Sequence, residues 1–204
     1  MATFDEMKAN IADYLSRSDL DSAIEKGIKR AIKFYEREEF SFMENTGSFV
    51  TVTGTQSYTI SATVGYASIE QVMINYNNAR FEAVRENYDI LNALDATLLG
   101  SMPTRWAEFG GEVVFYPIPN GSYTVSYQFF PKMAELTTGT DTNVLMENAE
   151  DLIEAHAAWW VASRKMRNFV LAAQFKQDEM EALRQVRRES GGKLASGHIT
   201  PTQF

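Results

Sequence analysis

The chain has 204 residues, 27 Asp and Glu against 19 Lys and Arg, a formal net charge of −8, 45% apolar residues and no cysteine. That balance excludes a disordered polar chain, disulfides, thiolate metal sites and thiol nucleophiles. It also argues against a protein built to wrap a phosphate backbone, which needs an excess of Lys and Arg.

Thr3 to about Ser16 reads as a short helix, with Phe4, Met7, Ile11, Tyr14 and Leu15 on one face and Thr3 and Glu6 spaced as a capping box. A stronger helix follows from Leu20 to about Glu39, with the apolar stripe Leu20, Ile24, Ile28, Ala31, Ile32 and Tyr35. Gly27 inside it weakens the helix by about 1 kcal/mol relative to Ala and marks a close helix contact or nothing at all. From Gly47 the period changes to two. Ser48–Val52 and Tyr58–Ile60 flank Gly54-Thr55-Gln56 as a hairpin would, and Ser68–Tyr76 runs through an Asn77-Asn78 turn into Arg80–Val84. A helix of about ten residues is expected over Glu86–Thr97. Three strands follow, Arg105–Phe109, Glu112–Tyr116 and Tyr123–Phe130, joined by Gly110-Gly111 and by Pro119-Asn120-Gly121 as hairpin turns. Thr137–Asn143 is a polar linker. Two long helices are then expected, Val144 to about Lys165 and Asn168–Ser190, before a Gly-, Ser- and Thr-rich arm.

The order implies an α+β fold: a helical bundle of two N-terminal and two long C-terminal helices, an inserted antiparallel β-sheet or sandwich, and an extended C-terminal arm. The expected segments are 1–46 and 137–191 for the helical domain, 47–136 for the β insertion and 192–204 for the arm. No apolar run approaches the roughly 18 residues of a membrane span, and MATFDEMKAN is too polar for a signal peptide, so no membrane association and a cytoplasmic site of synthesis are expected.

A search for catalytic chemistry returns little. His156 and His198 are the only histidines and have no spacing partner for zinc; no phosphate-binding Gly loop and no nucleophile elbow occur. His156 reads as a structural histidine packed against an aromatic, or as a general base in a cleft of perturbed acids. Glu147, Glu150, Asp151 and Glu154 have spacings that metal or acid–base chemistry uses, but a solvated helix N-terminus explains them more simply. No enzymatic activity, metal or cofactor is expected. Tyr116, Tyr123, Tyr127 and Phe129 would serve a sugar-binding module if they faced solvent; the alternative is sheet core. Trp159 and Trp160 point about 100° apart on a helix, so one is expected in a core and the other at a subunit contact or on a second buried side. Charge is uneven: residues 164–193 hold 8 Lys and Arg against 4 Asp and Glu, while residues 1–163 hold 11 against 23. The basic late helix is therefore either a docking surface or a solvated face.

The run Met102-Pro103-Thr104-Arg105-Trp106, then Gly110-Gly111-Glu112-Val113-Val114-Phe115-Tyr116-Pro117-Ile118-Pro119-Asn120-Gly121, then Tyr123–Tyr127 with Pro131 and Leu136 beyond it, resembles the head-to-tail adaptor (connector) proteins of short-tailed bacteriophages. The order of helical hairpin, β insertion, two late helices and arm is similar as well. The resemblance implies a virion protein of the neck or tail, made in the host cytoplasm. It implies a homo-oligomeric ring, commonly a dodecamer, that sits beneath the portal protein, contacts tail, nozzle or tail-fibre proteins below, and lets double-stranded DNA pass without specific binding. The family has no catalytic residues to carry over. On that reading the arm is the portal contact, with Lys193, Leu194, His198, Ile199 and Phe204 as candidate residues, and Trp159, Trp160, Arg164, Arg167, Arg184 and Arg187 are candidate subunit contacts. A tail-completion or nozzle protein is the nearest alternative, and a carbohydrate- or surface-binding module a more distant one.

Overall fold

The structure, a computed structural model, describes residues 2–60, 66–94 and 99–194. Helix α1 (Phe4–Tyr14) starts at the capping box: the Thr3 hydroxyl accepts from the Glu6 N–H, and the Glu6 carboxylate accepts from the Thr3 N–H. Two otherwise free amides are thereby satisfied. Helix α2 (Asp21–Tyr35) buries Ile24, Ile28, Ala31, Ile32 and Tyr35. It ends with its apolar stripe at Tyr35, short of the expected bound at about Glu39, and the chain turns through Glu39 with a positive φ of 49°.

Among the described residues the strands that follow are β1 (Asn45–Val50), β2 (Ser57–Thr59), β3 (Tyr66–Tyr76), β4 (Ala79–Glu82), β5 (Val84–Arg85), then, past helix α3 (Tyr88–Asn92), β6 (Leu99–Ser101), β7 (Arg105–Phe109), β8 (Glu112–Tyr116), β9 (Ile118–Pro119) and β10 (Thr124–Pro131). Helix α4 (Val144–Asn148) is capped by the Asn143 side chain, which accepts from the Met146 N–H. Helices α5 (Glu150–Val161) and α6 (Phe169–Leu194) complete the chain, separated by a wide helical turn over Ala162–Met166 and by Arg167, whose φ is 53°.

By contacts the chain forms two compact units: Met1–Met43 with Met133–Phe204, and Glu44–Lys132. In the helical unit α5 is the centre, packed against α1, α2, α4 and α6. Gly27 is the point of closest approach between α2 and α5: a Cβ there would lie 3.1 Å from the Ala157 carbonyl oxygen. The polar segment before α4 is tied down, since its Asp141 and Gly139 carbonyls accept from the free N–H groups of Phe4 and Asp5 at the start of α1. At the far end of the unit, the Ser190 hydroxyl accepts from the Ser41 N–H at 2.7 Å.

In the β unit one sheet has the order β1-β10-β3-β4 and the other β2-β8-β7-β5. Ile69, Val72, Ile74, Val125 and Tyr127 from the first meet Trp106, Val113 and Phe115 from the second in a shared core. Gly47 sits opposite Tyr127, whose ring occupies the space a Cβ would need, 2.3 Å away.

Several expectations are corrected. The segment around Gly54 is no hairpin: β1 pairs with β10 and β2 with β8, so it carries the chain from one sheet to the other. The same holds for Pro119-Asn120-Gly121, which leads from β8 to β10 in the opposite sheet. The Asn77-Asn78 and Gly110-Gly111 turns do form, with φ of 50° and 63° and of 62° and 86°. The insertion is not wholly antiparallel, because β5 runs parallel to β7 and β6 to β9. Helix α3 has only five residues, fixed at its start by the Asn87 side chain. The expected helix over 144–165 breaks at Ala149, which takes φ −141° and ψ 39°. Finally, α6 continues to Leu194, so no extended arm begins at residue 192. Two glycines in the last turn cost about 1 kcal/mol each against Ala, too little to end a helix anchored one turn earlier through Ser190. His198, Ile199 and Phe204 lie outside the described residues.

Candidate functional site

The helical unit places two chemically distinct constellations on either side of Phe34 and His156. The first is internal. Glu179, on α6 and only 2% exposed, accepts from the Tyr35 hydroxyl at 2.6 Å, from His156 Nδ1 at 2.9 Å and from Lys176 Nζ at 2.9 Å. An ionised carboxylate can only accept, so His156 carries its proton on Nδ1. Burial pushes the Glu179 carboxyl up, but the bonds from His156, Tyr35 and Lys176 overcome this and hold it down at about 2. Burial, and then the bond to Glu179, raise the Tyr35 phenol far above its ordinary value. The His156 ring stacks on Phe34 at 5.3 Å and meets the edges of Tyr35 and Trp159. His156 is therefore a buried structural histidine, with one nitrogen engaged by Glu179 and its ring enclosed by aromatics.

The second constellation is on the surface. Lys26, Arg30, Lys33 and Arg37 recur every three or four residues, and with Lys29 they line one hollow of about 480 Å³. Its floor is Phe34, His156 and Trp160. Arg30 lies over the Trp160 ring at 5.5 Å. Lys29 is paired with Glu25 at 2.7 Å; Lys26, Arg30, Lys33 and Arg37 make no ion pair among the described residues. Among the described residues no carboxylate lines the hollow.

The sequence reading missed this stripe because it averaged charge over residues 1–163, where the acids outnumber the bases. The visible signal was the periodic recurrence of cations on the polar face of α2. The late helix, by contrast, mixes its charges. Arg187 pairs with Glu38, Lys176 with Glu179, and Arg184 sits with Arg188 among Glu181 and Glu189. Arg164 and Arg167 are exposed at the turn before α6, next to Phe169 and Val170, which are 72% and 76% exposed. Neither Trp159 nor Trp160 is fully buried: Trp159 packs on His156 under Lys176, and Trp160 faces Arg30. Lys193 and Leu194 belong to the last turn of α6.

The four acids of α4 and α5 divide. Glu154 is 4% exposed and accepts from Asn10 Nδ2 at 2.9 Å; burial raises its carboxyl above the ordinary range, while bonds from Asn10 and Tyr14 work the other way. Glu147 and Asp151 are exposed and Glu150 is half-buried, and none of the three makes an ion pair among the described residues. Among the described residues no group of three metal-ligating side chains converges, and no helix is long and apolar enough to cross a membrane.

The aromatic platform needed for sugar binding is not where the sequence alternative put it. Tyr123 and Tyr127 are 8% and 6% exposed and belong to the β core, Phe129 packs against that core, and Tyr116 is half-buried. Residues 2–200 match the family described as SU10 adaptor protein. No curated protein matches the chain.

Proposed function

The chain belongs to the SU10 adaptor protein family, a phage head-to-tail adaptor family, and from that premise we propose that it is a subunit of the ring between the portal of the head and the tail. As an adaptor it is a structural connector of the virion and has portal and tail proteins as partners. The finer reading is ours: a closed homo-oligomer, probed first as a dodecamer, whose channel passes DNA without binding it specifically, and whose role is assembly and not catalysis. The observation that carries it is the match over nearly the whole chain. The split into a helical unit and a β unit supports it, since each can serve a different neighbour. The net charge of −8 supports a conduit that repels phosphate.

We propose that the last turn of α6, with Lys193 and Leu194, and the segment beyond it, with His198, Ile199 and Phe204, contact the portal, and that α5 and α6 face neighbouring subunits. Native mass spectrometry of the protein alone and with its cognate portal ring tests the reading. A stoichiometric ring on the portal is the expected result; a monomer indifferent to the portal but captured by tail components would favour a tail-completion or nozzle position instead.

A further inference from the structure

We infer that the cationic stripe of α2 docks the acidic α4–α5 corner of a second copy of this chain, so that subunits join head to tail by charge. The inference rests on the ring reading above and adds to it which faces meet.

Three observations carry it. The stripe places Lys26, Arg30 and Lys33 along about 10 Å of α2 and Arg37 just past its end, four cations with no ion pair among the described residues, in a chain whose other charges are mostly negative. The same unit presents exposed Glu147 and Asp151 and half-buried Glu150 without ion-pair partners among the described residues, a set of opposite sign. Both features are also referred to one rigid element: Trp160, in the floor of the cationic hollow, is near the C-terminal end of α5, while Glu150 and Asp151 are at its N-terminal end, about 15 Å away. A single copy therefore cannot bring its own two faces together. Two copies can pair one face each and leave the others open, which is the heterologous arrangement that propagates and closes into a ring.

The aromatic floor makes the stripe more than a solvated face. Phe34 is 54% exposed and Trp160 half-buried, so an incoming helix end covers apolar rings as it meets the cations. DNA is the competing occupant. The chain's overall acidity disfavours it, because long-range repulsion from the rest of the surface opposes a phosphate backbone while a local carboxylate set on a second copy is held in register.

The test uses two full-length variants with the cognate portal ring. Lys26→Glu/Lys33→Glu/Arg37→Glu makes both faces acidic, and Glu147→Lys/Glu150→Lys/Asp151→Lys makes both basic. Each alone is expected to lose cooperative assembly, with at least tenfold weaker neighbour-to-neighbour association. Mixed in equal amounts they are expected to assemble in alternation, which a misfolded variant cannot do. Should either variant precipitate, the neutral set Lys26→Gln/Lys33→Gln/Arg37→Gln is expected to assemble more weakly and with less sensitivity to salt than the unaltered protein. Variants that assemble alone as well as the unaltered chain overturn the inference and leave the adaptor reading standing. Unchanged assembly with weakened DNA retention overturns it in favour of phosphate. An unaltered protein that fails to gather on the portal at all overturns the ring reading itself.

Discussion

Replacing Glu179 by Ala removes the one acceptor shared by three side chains of the helical unit. Lys176 is 45% exposed and is rehydrated at little cost, but Tyr35 is 1% exposed and His156 7% exposed, and both lose their partner inside the bundle. Each buried group left unsatisfied costs about 1–3 kcal/mol, and breaking a buried charged network costs about 3–5 kcal/mol. The expected loss is therefore about 3–5 kcal/mol. Glu179→Gln keeps the shape and one acceptor and is expected to lose about 1–2 kcal/mol. Urea unfolding followed by the far-ultraviolet helix signal measures both, since the helices are concentrated in this unit. The pH dependence supplies an independent sign. With its folded pKa depressed to about 2 from an ordinary 4.5, Glu179 stabilises the fold above the ordinary value and the contribution is lost as pH falls from 4.5 towards 2. The Gln variant is expected to lack that acid-sensitive component. A loss under about 1 kcal/mol for Glu179→Ala, or an unaltered acid limb in Glu179→Gln, would refute the reasoning.

Glu154 has the opposite sign: its folded pKa is raised, chiefly by burial, so its carboxyl favours folding below the ordinary value and weighs against it as pH rises. Stability of Glu154→Gln relative to the unaltered protein is expected to improve as pH is raised above 4.5, read by thermal melts across pH. Gly27→Leu is expected to cost about 3 kcal/mol or more, since the side chain has no room against the Ala157 backbone; retained stability would show that α2 and α5 can part freely. Gly47→Ala is expected to cost about 1–3 kcal/mol by displacing the Tyr127 ring from the sheet, with a loss of near-ultraviolet tyrosine signal as the check. Truncation after Leu194 is expected to leave the melting temperature unchanged while weakening portal binding; portal binding at full strength would remove that segment from the contact.

Much of this architecture was legible because its signals are local. The Thr3–Glu6 box, the stripe of α2 and the two turns with positive φ depend on residues within a few positions of each other. The pairing of β1 with β10 and of β2 with β8 was not legible, because a turn sequence such as Gly54-Thr55-Gln56 permits a hairpin without requiring one; the choice was made by apolar faces that meet only in the folded unit. Of the candidate residues, His156 was readable as structural from its helical, aromatic setting, but its true partner, Glu179, lies 23 positions away and was indistinguishable from any solvated helix glutamate. The basic surface was overlooked for a simpler reason: net charge over a long window conceals a stripe that only helical periodicity reveals.

The separation of the helical unit into two stretches of sequence has a consequence for how the protein is made. Tyr35 and Glu179 are 144 positions apart, and everything between them, including the whole β unit, must leave the ribosome before they can meet. At about 5–20 residues per second that interval is about 7–30 s. For that time α2 has emerged with Ile24, Ile28 and Tyr35 still uncovered, waiting for α5 and α6. The nascent chain is thus expected to engage host chaperones at its N-terminal hairpin, and to release them only when the last helix is complete.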